Sequence, residues 1–282
     1  MSIAAQTVRF YRPGKDFPTY SVTGAACSLC CDHCDGRYLR GMNAIATPDE
    51  LYNEAVKLRM RGGRGFLLSG GCDPKGRVPI SRYVDMVAKI GDELKLQINV
   101  HTGLLDRWEA AGLARAKASC YSVDVHGSRE VIRARMHLDA PPSAFLETVK
   151  NLLDAGIENV VPHVLIGLDD DLEDAHEAVR GLAQMPVKQI VLLGFLPAPS
   201  TKMAKRPAAT DPEMLQVVRE AVSTGKRVLL GCMRPRGRSA LEQACITFGV
   251  RDLSMPSRET IEWARHQGYD VAVLPQCCAL QL

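Results

Sequence analysis

The sequence predicts an α/β protein, a TIM-like and near-complete (β/α)8 barrel in which parallel strands alternate with helices. Three observations lead there. Short apolar runs such as Phe66-Leu67-Leu68 and Val191-Leu192-Leu193 alternate with amphipathic segments along most of the chain. Those runs are continuously apolar, the pattern of strands covered on both faces. No composition break or linker interrupts the alternation, and about eight units succeed one another, the number that closes a barrel.

Residues 1–19 read as irregular, punctuated by Pro13, Gly14 and Pro18. The run Tyr20-Ser21-Val22-Thr23-Gly24 reads as a first strand that breaks at its glycine. Thr47-Pro48-Asp49-Glu50 is a helix start, with Thr as N-cap, Pro in the first turn and acids at the positive end. Leu51, Ala55, Val56 and Leu58 continue that helix, Gly62-Gly63 ends it, and residues 65–69 form the next strand. Helices are then expected over 79–90, 104–115, 142–155, 172–184, 212–222, 239–248 and 257–266. Strands are expected over 95–100, 120–125, 159–166, 188–193, 227–230 and 250–254, with a short tail strand near 271–273. The chain thus divides into an extension over 1–19, a barrel over 20–255, and a C-terminal helix with a cysteine-containing tail over 256–282. That tail is expected to cross the barrel mouth.

A length of 282 residues buries a full core, and 46% hydrophobic with 24% charged residues is ordinary globular composition. A net charge of +3 gives no reason to expect nucleic acid or an acidic membrane. The first residues resemble neither a signal nor a transit peptide, and no apolar run reaches a membrane span. The ten cysteines are therefore expected in a reducing cytoplasm, as metal ligands or reactive thiols more than as disulfides.

Four of them fall in Cys27-Ser28-Leu29-Cys30-Cys31-Asp32-His33-Cys34. Cys27, Cys31 and Cys34 are spaced C-x₃-C-x₂-C, which suits three irons of a cubic iron–sulfur cluster and leaves the fourth iron open. The competing reading takes Cys27 with Cys30, or Cys31 with Cys34, as C-x₂-C zinc pairs. A zinc knuckle usually brings a second pair, and none follows within the next few dozen residues.

Barrel chemistry sits at strand C-terminal ends. That rule gathers the cysteine loop, Ser69-Gly70-Gly71-Cys72, His101-Thr102-Gly103, Asp124, the segment 163–167, the segment 195–197 and Cys232 around one mouth. Gly70 and Gly71 permit close backbone approach to a ligand. Asp124 and Ser122 can bond hydroxyls, or Asp124 can cap the next segment. Arg133 or Arg135 can grip a carboxylate in bidentate fashion, or both can lie in a solvated basic loop. His163 is either a satisfied core histidine or part of a ligand-packing strand with Ile166 and Gly167. Cys120 and Cys245 read as packing. Cys232, with the adjacent pair Cys277 and Cys278, is harder to explain that way and reads as the ligand set of a second iron–sulfur cluster. Its fourth ligand would be Cys72, Cys30 or a non-cysteine group. Arg234, Arg236 and Arg238 either hold anionic cluster or substrate groups or form a solvated basic loop.

The cysteine loop after a first strand, with the glycine pair after the second, resembles the radical S-adenosylmethionine (radical SAM) superfamily. The segment 21–42, Gly231-Cys232-Met233-Arg234-Pro235-Arg236-Gly237 and the Cys277-Cys278-Ala279 tail resemble, within its biotin synthase and lipoyl synthase branch, the non-classical two-protein lipoyl synthases. The likeness covers about residues 20 to 280. The classical lipoyl synthase carries a further N-terminal cysteine motif, and here no cysteine precedes Cys27.

The resemblance implies a radical SAM (β/α) barrel with a [4Fe-4S] cluster on Cys27, Cys31 and Cys34. It implies S-adenosyl-L-methionine held by Ser69, Gly70, Gly71, Ser122, Asp124, Arg133, Arg135, Ile166 and Gly167. A second, auxiliary [4Fe-4S] cluster would sit on Cys232, Cys277 and Cys278. The implied reaction is sulfur insertion into an unactivated C–H bond by a 5′-deoxyadenosyl radical, with the auxiliary cluster as sulfur source. The implied partners are an octanoylated lipoyl-carrier protein or domain, a second lipoyl synthase protein, and an electron donor such as ferredoxin or flavodoxin. The short chain inclines towards the partner acting first. A biotin-synthase-like or other radical SAM enzyme acting on a free small molecule and a non-catalytic zinc or iron–sulfur binding protein are the alternatives.

Overall fold

The computed structural model describes residues 6–280. Its strands are β1 (Thr7–Tyr11), β2 (Thr19–Ser21), β3 (Asn43–Ala44), β4 (Gly65–Ser69), β5 (Gln97–Thr102), β6 (Cys120–Asp124), β7 (Val160–Ile166), β8 (Gln189–Gly194), β9 (Arg227–Leu230), β10 (Asp252–Ser254) and β11 (Asp270–Leu274). All pair in parallel, in the order β11-β1-β10-β9-β8-β7-β6-β5-β4-β2-β3. The sheet is a half-barrel with β11 and β3 at its edges, wrapped by helices as the alternation predicts.

The helices are α1 (Pro48–Met60), α2 (Val84–Leu94), α3 (Arg107–Ala114), α4 (Pro142–Asp154), α5 (Glu173–Ala183), α6 (Asp211–Ser223), α7 (Ser239–Thr247) and α8 (Arg258–His266). Local chemistry sets their starts. Thr47 accepts from the Glu50 N–H at the start of α1. Asp106 and Glu109 form a reciprocal capping box, so α3 begins three residues later than periodicity alone suggests. The segment expected to open a helix at 79 instead makes a 3₁₀ turn over Ile80–Tyr83 before α2.

Side chains alternate across each strand. Phe66, Leu68, Ile98, Val100, Tyr121 and Val123 are buried under the helices. The opposite, inner face is polar: Asn99 and His101 on β5, Ser122 and Asp124 on β6, His163 on β7, and Gln189 on β8.

The expected irregular segment 1–19 contains β1, which pairs with β10 and β11. Arg9 breaks the apolar pattern there, but it pairs with Asp252 at 2.7 Å. Arg227 binds the same carboxylate at 2.6 Å, and Tyr11 donates to it at 2.7 Å. Burial would raise the Asp252 pKa; the two guanidiniums and the phenol outweigh it and hold the carboxyl at about 2.

Candidate active site

A parallel sheet sends every strand C-terminus to one edge, so the cysteine loop after β2 and the glycines after β4 meet there. The contact is intimate. The Gly71 N–H donates to Thr23 Oγ1 at 2.7 Å, the Cys72 N–H to Cys27 Sγ at 3.3 Å, and the Ser28 N–H to the Cys72 carbonyl at 2.7 Å. A Cβ on Gly71 would stand 2.0 Å from the Ala26 carbonyl oxygen and 2.6 Å from Cys27 Cβ. Only glycine lets the two loops approach this closely.

Cys27, Cys31 and Cys34 are all half-buried and lie close enough to perturb one another's ionisation. The Cys72 thiol donates to Cys27; against burial, that bond and the N–H groups of Leu29, Cys72 and Cys30 hold Cys27 at about 5. Burial pushes the Cys31 thiol up to about 12, with Cys34 and Cys27 adding to it, and burial likewise raises Cys34. Cys30 is different. It takes a left-handed φ of 47°, is exposed, and turns its thiol to the Cys27 carbonyl at 3.4 Å. Three half-buried thiols on one short loop, close enough to influence one another and with a preformed donor set for the first, fit the ligand pattern of a cubic cluster.

The loop is braced from beneath. Asp32 is buried, bonded to His137 Nε2 at 2.8 Å and Lys202 Nζ at 3.0 Å, with Arg135 at 3.7 Å. Its main chain accepts from Met203 and donates to Arg135. Arg135 is thus drawn to the loop, while Arg133 is exposed on the π-helical turn Val131–Arg135.

Asp124 ends β6 with 53% of its side chain accessible, and His101 Nε2 lies 3.4 Å away. His101 stacks on His163 with ring centroids 5.4 Å apart, and His163 Nδ1 meets the Val161 carbonyl at 2.9 Å. The protein packed around Asp124 displaces part of its water and disfavours the carboxylate, but His101, His163 and His126 outweigh this and lower its pKa. A cavity of about 100 Å³ opens here, lined among others by Ser69, Gly70, Cys72, His101 and Asp124. An accessible carboxylate beside two glycines and the cysteine loop fits the hydroxyls of a nucleoside. Gly167 takes φ +97° after the buried Ile166, and its carbonyl accepts from Arg206 at 3.0 Å. Ser122 stands deeper than expected: it is buried and donates to Asn99 Oδ1 at 2.9 Å.

The C-terminal cysteines are not where a lid would put them. Cys277 meets Asn99 Nδ2 at 3.6 Å in the middle of β5, and the Ala279 carbonyl accepts from Gln189 Nε2 at 3.1 Å at the start of β8. The tail therefore descends inside the half-barrel. Cys232, exposed after β9, is close enough to Cys277 and Cys278 for their charges to interact. The Cys278 thiol donates to Cys277 and, against burial, lowers its pKa; Ala279 N–H, Asn99 and His101 act in the same direction. The thiols of Cys72 and Cys30, considered as fourth ligands for this set, are directed to the Cys27 sulfur and the Cys27 carbonyl respectively. Among the described residues no three His, Cys, Asp or Glu side chains converge at the spacing of a single metal ion.

Arg234 and Arg238 hold carboxylates of the protein itself and not of a cluster or substrate, while Arg236 is exposed, as in a solvated basic loop. Arg234 is 0% exposed and paired with Glu242, with further bonds to the Gly231 and Ser254 carbonyls. Arg236 bonds the Cys232 and Met255 carbonyls, and Arg238 pairs with Asp211 at 2.9 Å. They build the loop carrying Cys232. Cys120 and Cys245 are fully buried, as packing requires. Asn99 escaped the sequence reading, although polar Gln97 and Asn99 alternating with apolar Ile98 and Val100 signal an inner wall.

The family model of the Radical SAM superfamily matches residues 21–182, more than half of the chain and all of the cysteine, glycine and Asp124 region. This chain belongs to that superfamily. Among curated proteins, the radical SAM chain is 27% identical to mitochondrial biotin synthase of Saccharomyces cerevisiae over 194 residues, 63% of this chain and 50% of that protein. It is 22% identical to biotin synthase of Leptospira interrogans serogroup Icterohaemorrhagiae serovar copenhageni over 203 residues, 69% of this chain and 56% of that protein. The chain spans about half the length of these relatives. The fold is shared with the FeFe-hydrogenase maturase HydG from Carboxydothermus hydrogenoformans, at TM-score 0.64 and 19% identity over 88% of this chain and 58% of that one. Methylornithine synthase (PylB) matches at TM-score 0.63 and 14% identity over 94% of this chain and 84% of that one. Membership implies a [4Fe-4S] cluster and S-adenosylmethionine. Among the described residues no helix is long and apolar enough to cross a membrane.

Proposed function

We propose that this radical SAM chain inserts sulfur into an unactivated C–H bond, in one of the two insertions that build the lipoyl group on a protein-bound octanoyl chain. The carrying observation is that the tail enters the half-barrel, with Cys277 against Asn99 on the inner wall, and brings Cys277 and Cys278 within electrostatic range of Cys232 from a distant stretch. When bound, S-adenosylmethionine and the cluster supply a 5′-deoxyadenosyl radical able to take hydrogen from an alkyl carbon. Cys27, Cys31 and Cys34 would hold that cluster. Gly70, Gly71 and Asp124 would orient the cofactor, with Ser69, Arg133, Arg135, Ile166 and Gly167 around it. The C-terminal thiols would hold an auxiliary [4Fe-4S] cluster as the sulfur source. The partially buried Leu196 and Met233 would shield the alkyl chain from water. The carrier domain, the second lipoyl synthase protein and a ferredoxin or flavodoxin donor would complete the system, in the cytoplasm. The experiment is anaerobic incubation of reconstituted protein with S-adenosylmethionine, reductant and an octanoylated lipoyl-domain peptide. A sulfur mass increment on the peptide, with 5′-deoxyadenosine formed, is the expected result.

The similarity to biotin synthases favours one second reading, sulfur insertion into a free small molecule. Incorporation into a free biotin precursor, with none into the peptide, would establish it instead.

A further inference from the structure

Asn99 is 2% exposed on the inner wall of β5, and its amide has two partners. Ser122 Oγ donates to its Oδ1 at 2.9 Å, and its Nδ2 donates to Cys277 Sγ at 3.6 Å. Burying an amide N–H₂ costs free energy unless a good acceptor compensates. A neutral thiol is a poor acceptor. A thiolate bound to iron carries negative charge and is a much better one. A buried Asn aimed at a cysteine on a tail 178 residues away is therefore poorly explained by packing, and well explained by a metal-bound sulfur. The Ser122 hydroxyl holds the Oδ1 end of the amide, which leaves the Nδ2 end on the sulfur. Gln189 anchors the same tail from β8 through the Ala279 carbonyl, so the tail backbone is held two residues beyond the ligand.

We propose that Asn99 is a positioning residue that presents Cys277 to the auxiliary cluster and tunes that cluster through an N–H···S hydrogen bond, with Ser122 fixing its orientation. This rests on the auxiliary-cluster reading above. An N–H donor to a cluster sulfur stabilises the more negative, reduced state, so its loss makes the reduction potential more negative.

The test uses the Cys27→Ala/Cys31→Ala/Cys34→Ala chain, in which only the auxiliary cluster can assemble. After anaerobic reconstitution, iron, sulfide and the midpoint potential are measured with Asn99→Leu, Ser122→Ala and Asn99→Leu/Ser122→Ala added. The double variant replaces both polar partners with apolar groups and protects the fold if Asn99→Leu alone misfolds. Asn99→Leu is expected to shift the potential negative. Ser122→Ala should shift it less in the same direction, and the double variant no further than Asn99→Leu, because the two act as one unit. A parent that binds cluster while the folded Asn99→Leu and double variants keep its potential overturns this proposal alone. A parent that binds no cluster overturns the auxiliary-cluster reading and this proposal with it.

Discussion

The main-chain N–H of Cys72 donates to the Cys27 sulfur across 3.3 Å, joining the end of the second barrel strand to the first thiol of the cysteine loop. The bond exists because Gly71 lacks a side chain. Gly71→Ala would place a methyl 2.0 Å from the Ala26 carbonyl and 2.6 Å from Cys27 Cβ, against main chain that cannot swing aside. The expected cost is about 1–3 kcal/mol of stability. We also expect reduced iron incorporation, measured by urea unfolding and by iron content after anaerobic reconstitution. Normal values of both would show that the loops can part without consequence.

The orientation of Cys30 away from the other thiols makes the loop testable residue by residue. Cys30→Ala should retain cleavage of S-adenosylmethionine. Cys27→Ala, Cys31→Ala and Cys34→Ala should each abolish it, as followed by 5′-deoxyadenosine formation in reductant. Cleavage surviving in Cys31→Ala but lost in Cys30→Ala would reverse the ligand assignment.

Arg234 and Glu242 form a buried ion pair under the Cys232 loop. Removing one partner leaves the other charge buried and uncompensated. Glu242→Gln is expected to destabilise the fold by about 3–5 kcal/mol, read from the urea midpoint at constant slope. A loss below about 1 kcal/mol would mean that water reaches the pair, as it does for surface pairs.

Asp252 supplies a pH dependence. Its folded pKa, about 2, lies below the unfolded carboxylate value of about 3.9. Its contribution is therefore fully present above the unfolded value and is lost as pH falls through the folded one. The stability difference between the parent and Asp252→Asn should be constant from pH 5 to 7 and shrink from about pH 4 towards pH 2. A difference that grows on acidification would contradict the pairing with Arg9 and Arg227.

Much of this protein was legible without coordinates, where the signal is local. The C-x₃-C-x₂-C spacing lies within eight residues, and the alternation of apolar strands with capped helices repeats over short windows. The alternation follows from backbone geometry and burial of nearby side chains and marked the fold; the spacing is a local pattern of thiols and marked the cysteine loop. Tertiary structure alone decided what depends on distant partners. β1 was hidden in a segment that Pro13, Gly14 and Pro18 made look irregular, and the carboxylate that neutralises its Arg9 is 243 positions away. Arg234 looked like either a grip for an anionic ligand or a solvated charge until Glu242 and two carbonyls enclosed it. Ser122 looked like a ligand to hydroxyls until Asn99 took its proton donor. The tail looked like a lid, but Asn99 and Gln189 draw it down the polar inner wall. In each case a polar group becomes buried because another, remote in sequence, satisfies it there, and chain order carries no record of that pairing.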